Sequence, residues 1–537
     1  MYAYLTIFGL LSAWSQANII RTGTGQSQDV PLPGDLLIGA AVSAFQTEGW
    51  WNKGGKSESM VDHVLHTGRL GKLGFKNTND SDTAADSYHR YKEDIAIAKQ
   101  LKFQVYRFSI SWSRVLPEGD ISRPNMEGVQ YYHDLIDEIL KQGLIPFATV
   151  YHFDHPQVLE DQFRGWQSRE MIQKFRDYAR FLFNEFSSKV QLWATINEPN
   201  VMCAYFGTLL ITAGLVQAED YNTYKCMHHI TLAHAEAYRA FKENKLPGRV
   251  GVNTWIVTAK PNTTSIEDSF AAEVFNQLQA GSMLHPIVFG DYPELVKKYT
   301  GHLRPEFTPE EKQMLKGATD FISLNIYAGG NVAYKDSDRS SETLPFSGPA
   351  VVVENMTHGV DFISFRFADE LGRRSENYPL FSVAPDAMHS ALLWTWQQYN
   401  LPIMVSENGI PLQKGMDEEL RLAYYSAYLR ALVSAVNEFK VNVMGYIVWA
   451  LIDTVEWSAG FDLKFGVAAV DYETGSLNRS LKSSSDFWLQ VAEKRVVPFA
   501  EVPRSTSSPS SYQLLTTKTV LLTIFSICYT CCANFIN

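Results

Sequence analysis

Two glutamates lie where they could act as a pair. Glu198 directly follows one apolar run, within the sequence Thr-Ile-Asn-Glu-Pro-Asn, and Glu407 lies near the end of another, within Ser-Glu-Asn-Gly. Cleavage of a glycosidic bond needs two carboxyl groups, one protonated to help the leaving oxygen depart and one charged to attack or to stabilise the transition state. Either acid alone could instead cap a loop or pair with an arginine. The whole set of polar residues at such positions favours a chemical site.

Other polar and aromatic side chains lie within apolar runs or close to their ends. Arg107 could pair with Glu407 and keep it charged. Asn197, directly before Glu198, could bind a substrate hydroxyl. The remaining candidates of this kind are His152, Asn325, Tyr327, Trp449, Glu456 and Trp457.

The elements that must position these side chains are eight short β-rich runs, separated by segments with helical periodicity. Most of the runs are continuous and apolar, as expected for strands that are buried on both faces. Helical periodicity is clearest at 88–101, 169–189 and 420–439. The β-rich runs lie at 36–42, 105–110, 145–150, 191–197, 250–257, 321–327, 403–408 and 443–451.

Eight strand–helix alternations predict a single α/β domain, a (β/α)8 TIM barrel with long βα loops and its chemistry at the C-terminal ends of the strands. Glu198 and Glu407 would follow the fourth and seventh strands, which are not neighbours in a closed ring, so the two acids would face each other across its mouth. The alternative is a doubly wound open sheet, which normally has a glycine-rich phosphate loop after its first strand. The segment Gly39-Ala-Ala-Val-Ser-Ala supplies no such loop and favours the barrel.

Composition narrows the class of protein and the kinds of partner. With 537 residues, of which 45% are hydrophobic and 13% aromatic, the chain can bury a large core and is not disordered. Average domain size would suggest three or four domains of about 150 residues, whereas the barrel pattern predicts one. A net charge of −11 argues against a nucleic-acid partner. The sequence has neither the Cys/His spacing of a metal site nor a nucleotide-binding loop, so it predicts no metal and no cofactor.

Both ends of the chain carry targeting patterns. Residues 1–17 are similar to a signal peptide, with a buried N-terminal strand as the alternative. Residues 504–537 contain small residues, a polar spacer and a terminal apolar tail, the pattern of a GPI-attachment signal, with a single C-terminal membrane span as the rival. The sequence therefore predicts a body at 18–503 that is secreted or held at the cell surface, and that meets the membrane only through its C-terminal tail.

Cysteines and glycosylation sequons fit an extracellular body. Three of the five cysteines lie in the C-terminal tail. The other two, Cys203 and Cys226, could pair or stay single and buried, because 23 positions separate them and nothing local forces their approach. An acidic, hydroxyl-rich segment at 336–348 is interpreted as an insertion loop. Sequons occur at Asn79, Asn262, Asn355 and Asn478.

Several motifs, taken in order along the chain, resemble one known family. They are Phe45-Gln-Thr-Glu-Gly-Trp, Tyr88-His-Arg-Tyr-Lys-Glu-Asp, Tyr106-Arg-Phe-Ser-Ile-Ser-Trp-Ser-Arg, Thr195-Ile-Asn-Glu-Pro-Asn, Ser406-Glu-Asn-Gly and Trp449-Ala-Leu-Ile-Asp-Thr-Val-Glu-Trp. Over residues 33–498 the chain resembles glycoside hydrolase family 1, the β-glucosidase family, and within it the secreted animal branch with its lactase-like enzymes. The Asn-Glu-Pro and Glu-Asn-Gly motifs are highly specific together, whereas Glu-Asn-Gly alone would mean little.

The resemblance implies a retaining β-glycosidase, without a cofactor, that hydrolyses small β-glucosides. Glu198 matches the general acid/base, and Glu407 matches the nucleophile that forms a glycosyl-enzyme. Arg107 and Tyr327 match residues that hold and tune the nucleophile, and Asn325 is placed with them. His152 and Asn325 could each have a purely supporting role. The residues assigned to the sugar are Gln46, His152, Asn197, Tyr327, Trp449, Glu456 and Trp457, with Trp449 as the aromatic floor under the ring.

Departures from the family pattern lie mostly outside the sugar-binding set. The usual His-Trp-Asp-Leu-Pro-Gln reads His152-Phe-Asp-His-Pro-Gln, so Phe153 replaces a tryptophan, and Leu380 stands where an aromatic platform for the aglycone is usual. Further departures are at 328–330, 453–457 and 468–469. They suggest ordinary sugar recognition with an unusual or relaxed aglycone.

Two alternative functions fit the same fold. One is a klotho-type binding protein, a class that typically lacks one catalytic glutamate, so that the retention of Glu198 and Glu407 disfavours it. The other is a thioglucosidase, which the altered outer residues permit and no residue demands.

Overall fold

The computed structural model of the chain describes residues 28–70, 78–334, 350–352, 384–412 and 418–500. Several features predicted from the sequence lie outside these residues. They are the signal peptide at 1–17, the insertion loop at 336–348, the sequon at Asn355, the platform position Leu380 and the tail at 504–537.

Eight parallel strands form a closed ring, which confirms the predicted (β/α)8 barrel. Each strand pairs with the next along the chain, and the eighth pairs with the first. In chain order the strands are β1 Leu37–Ala41, β2 Val105–Ser109, β3 Ile145–Tyr151, β4 Leu192–Ile196, β5 Arg249–Pro261, β6 Phe321–Tyr334, β7 Ile403–Asn408 and β8 Val443–Trp449.

Strands β5 and β6 are longer than the sequence predicts. The apolar runs end at 257 and 327, whereas the strands continue to Pro261 and Tyr334. Their extensions remain paired with each other, from Thr258 opposite Gly329 to Pro261 opposite Val332, after a register shift at the rim of the ring. A short antiparallel strand, Ala350–Val352, pairs with the end of β6. Pairing between chain-distant strands, rather than local apolarity, sets these bounds.

Helices follow the strands around the outside of the ring. The predicted segments at 88–101, 169–189 and 420–439 form helices Ser87–Gln100, Glu170–Phe186 and Glu418–Phe439. The helices that follow β1 to β8 are Ser87–Gln100, Met126–Lys141, Glu170–Phe186, Thr223–Glu243, Ile266–Asn276, Pro385–Tyr399, Glu418–Phe439 and Ser485–Leu489.

Shorter elements occupy the loops between strands and helices. Their helices are Ala44–Thr47, Met60–His66, Asp80–Thr83, Trp112–Val115, Gln157–Phe163, Gly165–Gln167, Pro199–Val201, Met202–Phe206, Gly207–Thr212, Ala218–Asp220, Gln277–Gly281, Ser282–Phe289, Glu294–Thr300, Gly301–Leu303, Pro309–Leu315, Trp457–Ala459 and Gln490–Lys494. Two small antiparallel pairs join Val30–Pro31 to Val496–Val497 and Ala468–Val470 to Arg479–Leu481.

The core has two layers because each strand is buried on both faces. Side chains such as Phe147, Phe321 and Met404 fill the inside of the ring. A larger apolar layer lies between the strands and the helices. Gly39 on β1 is required by close packing, since a Cβ there would lie 2.3 Å from the carbonyl oxygen of Val105 on β2. The rigid ring therefore carries the loops at its C-terminal end.

A disulfide joins Cys203 to Cys226, with their Cα atoms 5.6 Å apart. Cys203 belongs to the loop that follows β4, and Cys226 lies in the helix Thr223–Glu243. The sequence left this pairing open because the approach is made by the tertiary fold and not by local chain geometry. The bond closes a loop directly after Glu198, at the mouth of the barrel.

Within the described residues, no helix combines the length and the apolar character needed to cross a bilayer. The same ranges contain no group of three or more histidine, cysteine or carboxylate side chains arranged to hold a metal ion.

Candidate active site

Both glutamates lie at the C-terminal end of the barrel and are largely buried. Glu198 follows β4 and is 9% exposed, and Glu407 is the penultimate residue of β7 and is 4% exposed. Strands β5 and β6 separate β4 from β7 in the ring, and side chains from β2 and β6 connect the two acids.

Glu407 is held as a charged group by donors on both of its oxygens. The Arg107 guanidinium donates to Oε1 at 2.5 Å, and the Tyr327 hydroxyl donates to Oε2 at 2.8 Å. Burial, together with the charge of Glu407, raises the pKa of Tyr327 well above its usual value, so the phenol remains a donor. A buried guanidinium in contact with the carboxylate stabilises its ionised form.

Glu198 has the opposite surroundings. Burial, followed by repulsion from the charge of Glu407, raises its pKa well above the usual value of a carboxyl group. The Asn325 amide nitrogen, 2.7 Å from Oε1, lowers the pKa by less than burial raises it. The two acids therefore differ in their surroundings: Glu198, with its raised pKa, favours the neutral form, whereas Glu407 accepts from a guanidinium and a phenol.

The backbone at Glu198 is unusual for a residue with a side chain. Its φ is +43°, in the left-handed region, and Pro199 begins a short helix directly after it. A non-glycine residue in this region is strained and stays there only when its surroundings hold it. Strain of this kind often occurs at active sites, and here it coincides with the predicted acid/base residue.

A cluster of buried amide side chains connects the hydrogen-bond partners of the two acids. The side-chain oxygen of Asn197 accepts from Arg107 at 2.8 Å, from Asn253 at 2.5 Å and from Asn325 at 3.2 Å. The Ser406 hydroxyl lies 2.9 Å and 2.8 Å from the amide oxygens of Asn253 and Asn325. This hydrogen-bonded group links the arginine beside Glu407 to the amide that holds Glu198.

Sequence reasoning missed Asn253 and Ser406. Both are fully buried polar residues, on β5 and β7. Other polar residues adjoin them, Thr254 after Asn253 and Glu407 after Ser406, so the local sequence does not single them out. The prediction for Asn197 is also refined, because protein donors occupy its side-chain oxygen and one N–H of its amide donates to His152, which leaves the second N–H for a ligand.

His152 contributes a neutral imidazole. Burial, and then the nearby charge of Arg107, lowers its pKa well below the usual value. Its Nε2 lies 3.3 Å from the Asn197 amide nitrogen, which must donate, so we assign the ring proton to Nδ1. The ring also stacks on Trp449 at 6.1 Å between centroids.

Glu456 is the third carboxyl group of the site. One of its oxygens accepts from Thr454 at 2.7 Å, from Trp449 at 3.2 Å and from Gln46 at 3.4 Å. Burial raises its pKa to about 8, despite the hydrogen bonds that lower it. Gln46 also donates to the Val455 carbonyl at 2.8 Å, which fixes the amide in place.

Aromatic rings form one wall of the site. The Trp457 ring stacks in parallel on Phe45, with 5.6 Å between ring centroids. Its centroid lies 5.5 Å from that of Phe153 and 5.2 Å from that of Phe206. Phe153, which replaces the usual tryptophan, is buried between His152, Phe206 and Trp457. This wall has no polar atom at position 153, where an indole would have offered a donor.

All the residues predicted to act on the sugar meet at this mouth. Three of the four sequons lie within the described residues. Asn79 and Asn478 are exposed, and Asn262 is half-buried at the end of the β5 extension. The side-chain oxygen of Asn478 lies 3.1 Å from the Arg90 guanidinium.

The match to known sequences covers the barrel and its site together. The sequence model of glycosyl hydrolase family 1 matches residues 28–496, which contain both glutamates and every residue described above. The chain belongs to glycosyl hydrolase family 1. It is therefore a glycoside hydrolase, and the family resemblance seen in its motifs is confirmed.

Similar proteins come from plants and insects. β-Glucosidase 30 of Arabidopsis thaliana is 36% identical over 87% of this chain and 83% of its own length. The solved structure of an aphid myrosinase has a TM-score of 0.76 and 31% identity, and it covers 86% of this chain and 99% of its own. A rice β-glucosidase mutant, solved in a covalent complex with Glc, has a TM-score of 0.77, 28% identity and coverage of 86% and 99%.

Proposed function

We propose that this chain is a retaining β-glucosidase that hydrolyses the O-glycosidic bonds of small β-glucosides. The observation that carries the proposal is the contrast between two buried glutamates. Arg107 and Tyr327 hold Glu407 as a carboxylate, whereas burial and the charge of Glu407 keep a proton on Glu198. One acid and one nucleophile across a pocket are what a double displacement needs. The covalent complex with Glc of the rice relative supports the same chemistry.

In the first step, Glu407 attacks the anomeric carbon while Glu198 protonates the glycosidic oxygen, which leaves as an alcohol. The new bond joins a Glu407 oxygen to the sugar, and the charge of Glu407 is lost. Arg107 and Tyr327 then exchange a carboxylate partner for an ester. The amide cluster around Asn197 keeps the guanidinium in place during this change.

In the second step, Glu198 removes a proton from water, and the resulting hydroxide equivalent attacks the same carbon and releases Glu407. Glu198 can act as a base here because esterification of Glu407 removes one of the charges that raise its pKa. Two inversions at one carbon give retention of configuration.

Sugar recognition rests on the polar side of the mouth. Gln46, His152, Asn197, Glu456 and Trp457 supply donors and acceptors for hydroxyl groups, above the Trp449 ring. Phe153 removes one donor from the neighbouring wall. We therefore propose ordinary recognition of the sugar, with relaxed or unusual selection of the aglycone.

A covalent probe tests the assignment directly. A 2-deoxy-2-fluoro-glucoside with a good leaving group should label Glu407, and mass spectrometry should locate the adduct on its peptide. Glu407→Ala should lower turnover of an aryl β-glucoside by at least about 10⁴-fold, since the covalent route is lost. Glu198→Ala should slow substrates with activated leaving groups less than others.

Glu273→Gln is a matched control, because this half-buried carboxyl group accepts from the Trp394 indole at 3.0 Å and is not part of the site. It should retain labelling and turnover. Absence of both labelling and turnover in the parent chain, across a panel of aryl glycosides, would instead support a klotho-type binding protein.

The likeness to an aphid myrosinase makes a thioglucosidase the second candidate. A sulfur leaving group needs little protonation, whereas the raised pKa of Glu198 provides an acid that an oxygen leaving group requires. We therefore place O-glucosides first. The same substrate panel, extended to thioglucosides, ranks the two activities by kcat/KM.

We also propose that the chain is an extracellular glycoprotein, secreted or held at the cell surface by its tail. The disulfide between Cys203 and Cys226 supports an oxidising compartment. Exposure of the sequons at Asn79 and Asn478 supports glycan attachment.

A further inference from the structure

A buried tyrosine and a buried histidine are hydrogen-bonded in a row that ends at a half-buried glutamate, and none of the three has a part in the chemistry described above. His155 is fully buried, with Nδ1 2.7 Å from the Tyr151 hydroxyl and Nε2 2.8 Å from Glu160 Oε1. The related family motif has leucine where this chain has His155. A polar ring in place of an apolar side chain destabilises a core unless both nitrogens are bonded, as they are here.

We assign the ring proton of His155 to Nε2, which faces the Glu160 carboxylate. The Glu160 carboxylate accepts from Nε2–H, and the unprotonated Nδ1 then accepts from the Tyr151 hydroxyl. The Trp166 indole donates to the same hydroxyl oxygen at 3.3 Å. The Tyr151 hydroxyl is therefore held from two sides and cannot rotate freely.

Tyr151 contacts the chain on both sides of Glu198. Its carbonyl oxygen accepts from the Asn197 backbone N–H at 2.9 Å. Its hydroxyl lies 3.4 Å from the Met202 sulfur, and the Met202 backbone N–H donates to the Glu198 carbonyl at 2.9 Å. The residue that His155 holds is thus in contact with the segments that enter and leave Glu198.

This bracing matters because Glu198 has a left-handed backbone, at φ +43°. Such a conformation relaxes when its neighbours loosen, and the carboxyl group would then move away from the leaving oxygen. A displacement of about 1 Å is enough to lower the rate of a proton transfer that depends on position.

We propose that His155, held by Glu160, is a positioning residue for the acid/base glutamate: it fixes Tyr151, which holds the chain on both sides of Glu198. This inference deepens the proposed function and rests on it. Its signature is a loss that depends on the leaving group, since only poor leaving groups need protonation by Glu198.

The test compares His155→Leu with the parent chain on aryl β-glucosides of graded leaving-group acidity. Leucine is the residue of the family motif and fits an apolar site, so we expect the variant to fold. We expect kcat/KM to fall about 10-fold for a phenyl glucoside and less than about 2-fold for a dinitrophenyl glucoside. A steeper dependence of rate on leaving-group acidity is a readout that a general loss of stability does not produce.

Tyr151→Phe keeps the ring and removes the hydroxyl, and it should give the same pattern if leucine at 155 is not tolerated. His228→Leu is a matched control, because His228 is also buried and its Nδ1 lies 3.0 Å from the Tyr292 hydroxyl, while its partners do not belong to the site. It should leave the leaving-group dependence unchanged.

A uniform loss for all leaving groups, or no change in either test variant, would overturn the positioning role. Failure of the proposed function is seen separately, as absence of turnover and of fluoro-glucoside labelling in the parent chain. Parent activity is therefore measured first, with the same substrates and the same probe.

Discussion

At the scale of single residues, the site separates three carboxyl groups by their neighbours. Glu407 accepts hydrogen bonds from a guanidinium and a phenol. Glu198 accepts from the neutral Asn325 amide, and the nearby charge of Glu407 raises its pKa. Glu456 is buried with neutral donors only, and its pKa rises to about 8. The same functional group thus acquires different protonation from position alone, which is how one pocket can hold both an acid and a nucleophile.

The raised pKa of Glu198 predicts the basic side of the pH profile. Below that pKa Glu198 has its proton and can assist the leaving group, and above it the proton is lost. We expect kcat/KM for a phenyl glucoside to fall about 10-fold per pH unit beyond the pKa. A dinitrophenyl glucoside should fall less, since it needs little acid assistance. Identical basic limbs for both substrates would contradict the assignment of Glu198 as the acid.

At the scale of elements, the strand ends and loops at one end of the closed ring bring the side chains of the site together. Strands β2, β6 and β7 contribute Arg107, Asn325 and Glu407, and Asn197 directly follows β4. These residues are far apart in sequence and adjacent at one end of the ring. The segment after β4 is held further by the Cys203–Cys226 disulfide and by the Tyr221 hydroxyl, which donates to the Cys203 carbonyl at 2.8 Å.

Removal of the disulfide should loosen this segment more than the barrel. A double variant, Cys203→Ser with Cys226→Ser, should lower the free energy of unfolding by about 2–4 kcal/mol. Limited proteolysis should then cut first between 203 and 226, because the loop is no longer closed. The parent chain, with and without a reductant, is the control. Equal stability and an unchanged cleavage pattern would show that the bond does not stabilise the segment.

The sequence was most informative where signals are local. The barrel and the positions of the two glutamates follow from apolar runs and helical periodicity, and the residues proposed to bind the sugar come from the family resemblance of contiguous motifs. Asn253 and Ser406, the disulfide and the extensions of β5 and β6 depend on contacts between distant parts of the chain. Each of these features depends on which strands and helices become neighbours in the fold. No local sequence pattern predicts those neighbours.

At the scale of the whole molecule, the sequence match extends over residues 28–496, and the predicted targeting segments lie outside the described residues. The side chains of the sequons at Asn79 and Asn478 are exposed, as glycan attachment requires.

Expression of the full chain in animal cells tests the proposed location. We expect activity at the cell surface and its release into the medium by a phosphatidylinositol-specific phospholipase. Enzymatic removal of N-glycans should lower the apparent mass by about 2–3 kDa for each occupied sequon, since N-glycans are bulky. Surface activity that resists the phospholipase would support a membrane span. Activity confined to the cytosol would contradict both forms of attachment.

The hydrogen bonds and pKa directions of the site also define its electrical balance. Near neutral pH, Glu198 and Glu456 favour their uncharged forms, and the charge of Glu407 is matched by that of Arg107. The pocket is therefore close to electroneutral although it contains three carboxyl groups. An uncharged sugar can enter without a counterion and without exchange of a proton with the buffer. An amine of the same shape would take a proton from one of the two neutral carboxyl groups, and an ammonium–carboxylate ion pair would then form inside the pocket.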